Sequence, residues 1–85
     1  MTVKSMNLDQ LKPGQSGRIT EVAGSGALRR RLLDLGFRKG EVVKFIKTAP
    51  LRDPLQISLG NGHITIRRSE ASLIQVEVLL GKSSE

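Results

Sequence analysis

Leu55, Ile57 and Leu59 alternate with Gln56 and Ser58, Gly60-Asn61-Gly62 follows, and Ile64 and Ile66 then alternate with Thr65 and Arg67. No other feature constrains the fold as tightly. A period of two places the apolar side chains on one face of an extended strand. A Gly-Asn-Gly step between two such strands is a tight-turn signal. A hairpin with one greasy face is not stable alone, so the rest of the chain must cover it.

The rest supplies more strands. Gly17 to Val22 contains β-branched Ile19, Thr20 and Val22. Glu41 to Lys47 carries Val42, Val43, Phe45 and Ile46 on both faces, which implies burial of both sides or a bulge. Ile74, Val76, Val78 and Leu80 alternate with Gln75 and Glu77 as a last strand. Ala27 to Leu35 reads as the one true helix, with Leu28, Leu32 and Leu35 stacked on one side. Ser25 is its candidate cap and Gly36 its stop. Asn7 can cap a short turn that points Leu8 and Leu11 inward, and Ser69-Glu70 opens at most one further helical turn.

Five short strands and one helix in 85 residues are too few for an immunoglobulin-type sandwich. The economical solution is a mainly β, five-stranded, partly closed β-barrel, because closure removes exposed edges. The α-helix lies between strands one and two and covers one end. The domain is expected over residues 7–80, between a flexible N-terminus (1–6) and a flexible polar tail (81–85).

Several chemistries are excluded by residue types. There is no cysteine, hence no disulfide, thiolate metal site or thiol nucleophile. His63 is the single histidine, placed by alternation toward solvent. The eight acids are scattered, the closest pairs (Asp34 with Glu41, Glu70 with Glu77) being seven residues apart. No serine is marked as a nucleophile, and Gly24-Ser25-Gly26 lacks the lysine and spacing of a phosphate loop. We therefore expect no enzyme, no catalytic residue, no metal ligand and no cofactor, with weak transition-metal binding left open. No apolar run approaches membrane length, and Lys4 is followed by no apolar stretch, so a cytoplasmic protein is expected.

The charge is local. Residues 18–52 hold nine basic and three acidic side chains, which equals the +6 of the whole chain. Such a surface suits an acidic protein, a phosphate group, nucleic acid or anionic lipid, or is simply the solvated face of a small basic domain. Nucleic acid is disfavoured, since there is no Trp or Tyr to stack a base and only two Phe. A nonspecific nucleic-acid-binding barrel remains the distant alternative. On the helix, with Leu28 at the centre of the buried side, Leu33 falls on the outer side between Arg29 and Arg30. It is either an ordinary exposed leucine or an apolar knob ringed by guanidiniums, as docking surfaces present. Leu51 and Arg52, between Pro50 and Pro54, form a second stiff display site, or a connector whose leucine folds back. The candidate partner-binding residues are thus Arg29, Arg30, Leu33, Leu51 and Arg52.

Three segments in this order resemble the FeoA family of bacterial ferrous iron transport systems: Leu32-Leu33-Asp34-Leu35-Gly36-Phe37 with Gly40; Ala49-Pro50-Leu51-Arg52-Asp53-Pro54; and Ile66-Arg67-Arg68 with Glu70, Ala71, Leu73, Ile74, Val76 and Glu77. The family's usual glycine in the proline loop is Arg52 here. The resemblance implies an SH3-like barrel and a small cytosolic accessory protein. Its implied partner is the FeoB membrane permease, through that protein's cytoplasmic nucleotide-binding domain. Contact with the membrane would then be through the partner only, and self-association is a further option. The near alternative is a metal-associated regulatory domain like the C-terminal one of metal-dependent repressors.

Overall fold

The computed structural model describes residues 4–60 and 62–79. In chain order it contains β1 (Ser5–Asn7), a 3-10 turn (Leu8–Gln10), β2 (Ser16–Val22), α1 (Gly26–Asp34), β3 (Val42–Thr48), β4 (Leu55–Leu59), β5 (Gly62–Ile66), α2 (Arg68–Ala71) and β6 (Ile74–Leu79). The strands form one antiparallel sheet in the order β1-β6-β2-β3-β4-β5. Side chains from β2 to β6 meet in a single core with Leu8, Leu11, Leu32, Phe37 and Ala71, so the sheet curls around its own apolar face.

The sequence accounts for most of this. The hairpin strands pair Leu55 with Ile66 and Ile57 with Ile64, and Leu55, Ile57 and Ile66 are buried. The double-faced apolar pattern of β3 resolves as a bulge: the register shifts between Phe45 and Lys47, which makes Ile46 the extra residue. Phe45 still satisfies its backbone, donating to the Gln15 carbonyl at 2.9 Å and accepting from Gly14 at 2.7 Å.

Two corrections follow. The strand count is six rather than five, because Ser5 and Met6, read as part of the flexible N-terminus, and Asn7, read as a turn cap, pair with β6 through Ser5–Glu77, Met6–Val76 and Asn7–Gln75. Three residues carry too little periodicity to be seen without their partner strand. The sheet also stays open among the described residues, with β1 and β5 as its edges. Residues 81–85 of the expected tail, Leu80 of the last strand and Asn61 of the hairpin turn lie outside the described residues.

Close approach explains one glycine. Gly17 sits in β2 where a Cβ would stand 2.9 Å from Val76 on β6, so any side chain would push the two strands apart.

Candidate functional site

The helix carries three of the expected site residues. It ends as the sequence predicts: Gly36 adopts φ +110°, donates to the Leu33 carbonyl at 3.0 Å, and lets Phe37 donate to the Leu32 carbonyl at 3.1 Å. This crossed pair is a Schellman cap, and it lays Phe37 against Leu32, both fully buried. Ser25 occupies the cap position but makes no side-chain cap hydrogen bond.

The helix is rotated relative to the expected orientation. Leu28, assigned to the buried face, is 39% exposed, while Leu33, assigned to the outer face, is half-buried and packs against the core. Arg29 stays exposed but is tethered, its Nε donating to the Val22 carbonyl at 3.0 Å. A nine-residue helix with leucines at 28, 32 and 33, and Leu35 at its C-cap, offers two apolar faces. The cap decides between them by fixing Leu32 under Phe37. Arg31 falls in the last turn, where a cation suits the dipole, and pairs with Glu70 of α2. Leu33 is therefore partly covered rather than displayed as a knob. Arg30 alone of the triplet has no side-chain partner among the described residues.

The proline loop projects as a closed turn. Arg52 N–H donates to the Ala49 carbonyl at 2.8 Å, closing a β-turn with Pro50 and Leu51 at its centre, and Ala49 N–H donates to the Pro54 carbonyl at 3.0 Å. Leu51 is 88% exposed at the tip. Arg52 takes φ +70°, the left-handed region that glycine occupies freely and an arginine only at a cost. The glycine–arginine difference from the family pattern thus leaves the turn intact and moves its cost into the backbone.

The sequence reading missed Arg68, which anchors this loop. Its backbone N–H donates to Asp53 Oδ1 at 2.9 Å, its Nε to the Arg52 carbonyl at 3.0 Å and its Nη1 to the Asp9 carbonyl at 3.0 Å. One side chain therefore ties the proline loop and the 3-10 turn to the start of α2. Its adjacency to Asp53 across a separation of 15 residues leaves no periodic trace in the sequence. Between these elements lies a groove of about 550 Å³ that includes Asp9, Lys12, Phe45, Thr48, Arg52 and Arg68 in its wall.

Among the described residues no three His, Cys, Asp or Glu side chains cluster as metal ligands would. His63 is exposed and its Nδ1 lies 3.5 Å from Gln56 Nε2. No helix among the described residues is long and apolar enough to cross a membrane.

Residues 6–78 match the FeoA domain family. Over 74 residues the chain is 35% identical to an Fe(2+) transport protein A/Fe(2+) transporter FeoB fusion protein of Porphyromonas gingivalis; the match covers 87% of this chain and 9% of that protein. The FeoA protein of Chlorobium tepidum superposes with a TM-score of 0.82 at 41% identity, over 92% of this chain and 74% of that one. Stenotrophomonas maltophilia FeoA, a prokaryotic SH3-domain protein complexed with zinc, superposes with a TM-score of 0.73 at 33% identity, over 84% of this chain and 88% of that one. The fold is SH3-like. A manganese-dependent transcriptional repressor shares that fold alone, with a TM-score of 0.81 at 12% identity, over 93% of this chain and 44% of that one.

Proposed function

Since this chain belongs to the FeoA family, we propose that it serves as a cytoplasmic, non-enzymatic accessory protein of ferrous iron uptake that docks on a FeoB-type permease. The observation that carries this reading is the fusion relative. There a segment 35% identical to this chain is covalently part of the same polypeptide as the transporter. Two activities held on one chain work at high effective concentration, and a separate chain needs a surface that restores that proximity.

The surface that fits is the proline loop. Leu51 supplies apolar area from a turn held by two hydrogen bonds, so little conformational entropy is lost on binding. Arg52 beside it adds directional charge-assisted contacts. Arg30 lies exposed on α1 with no side-chain partner among the described residues and adds a further cation. Arg29, exposed but bonded to the Val22 carbonyl, and Leu33, partly packed against the core, have less of their surface to offer. The cytoplasmic nucleotide-binding domain of the permease is the partner this reading names.

The reading is tested by titrating the purified chain with the cytoplasmic region of the FeoB-type permease of the same organism and following the heat of binding. Saturable association supports it. No association in either nucleotide state removes docking on that domain.

A further inference from the structure

We propose that the groove between the 3-10 turn and the proline loop takes an extended, acidic peptide segment of a partner protein. The inference rests on the docking role argued above and names the chemistry of what is docked.

The groove's volume, about 550 Å³, lies in the range that encloses a few residues of extended chain. Its charge is lopsided: Lys12, Arg52 and Arg68 stand against Asp9. Arg68 spends its Nε and Nη1 on two backbone carbonyls. Lys12 and Arg52 have no side-chain partner among the described residues, so two exposed cations flank one concavity uncommitted. An occupant bearing carboxylates meets them with charge-assisted hydrogen bonds.

One further observation favours a peptide over a free anion. Leu51 projects from the loop that carries Arg52, where it adds apolar contact to side chains of a chain laid along the groove. Arg52 itself holds a left-handed backbone at a cost that glycine avoids, as residues whose side chains are used often do.

The test is an amide-shift titration of the isotope-labelled full chain with a short capped peptide of alternating Glu and Ser. The same peptide with Lys for Glu, sodium phosphate, and phosphatidylglycerol vesicles serve as competing probes. The expected result is saturable shifts at Leu11, Thr48 and Arg52 with the Glu peptide alone. Affinity falls about tenfold or more in Lys12→Glu or Arg52→Glu and stays unchanged in Lys44→Glu, a charge reversal elsewhere on the surface. Absence of shifts overturns the proposal. So do equal shifts with phosphate, binding to vesicles but not to the peptide, or equal loss in Lys44→Glu, which marks general charge attraction. If the permease's cytoplasmic region binds while the peptide leaves the groove unmoved, this inference fails and the docking role stands. If the peptide binds and the permease region does not, the docking role fails instead.

Discussion

Arg31 of α1 and Glu70 of α2 form an ion pair that joins these two helices across 39 residues of sequence. Glu70 is nearly buried, and its second oxygen accepts the Arg67 N–H at 2.9 Å, so one carboxylate holds the start of α2 and the end of α1 together. The Arg31 side chain is about half exposed. The pair is therefore asymmetric: removing the base strands a nearly buried carboxylate that keeps only the Arg67 N–H, while removing the acid's charge lets the half-exposed Arg31 turn to water. Arg31→Ala is expected to cost about 1–3 kcal/mol and Glu70→Gln, whose amide oxygen can keep the Arg67 bond, about 0–1 kcal/mol, read from urea unfolding. Equal losses would contradict the assignment.

The rotated helix makes its own prediction. Leu32→Ala empties a fully buried site and is expected to cost about 2–5 kcal/mol, whereas Leu28→Ala stays within about 0.5 kcal/mol. Leu33→Ala should fall between them. The order Leu28 above Leu33 would restore the orientation that the leucine spacing suggests.

Glycine at two positions is required for opposite reasons. Gly17→Ala puts a methyl into Val76 and forces β2 from β6, a strain of about 1–3 kcal/mol. Gly36→Ala places a side chain at φ +110° and 3.1 Å from Leu59, and frays the cap over Leu32. Both variants are expected to melt earlier than the parent by circular dichroism.

Arg52 is predicted to trade stability for recognition. Arg52→Gly relaxes the left-handed backbone and should raise stability by up to about 1 kcal/mol, since the loop's own hydrogen bonds use main-chain atoms. The same variant should bind the permease region less tightly. A variant both less stable and equally bound would mean that the guanidinium serves the fold.

The hairpin, the β3 bulge, the Gly36 stop and most of the core were legible because they follow from local alternation and turn chemistry. The helix's rotation was not, since two faces of α1 are similarly apolar and the deciding contact, Phe37 on Leu32, comes from beyond the helix. Likewise β1 is too short to show a period, and Arg68 acts through partners 15 to 59 residues away. Of the candidate site, Leu51 and Arg52 were readable from the prolines around them. The groove behind them was not, because it is assembled from four separate stretches of chain.

The central claim, docking through the proline loop, is tested most directly by calorimetric affinity for the permease's cytoplasmic region. The parent is compared with a Leu51→Asp, Arg52→Glu double variant whose unfolding curve matches it. Loss of the apolar tip and reversal of its charge should weaken binding by about a hundredfold or more. Unchanged affinity in the folded double variant would contradict the account.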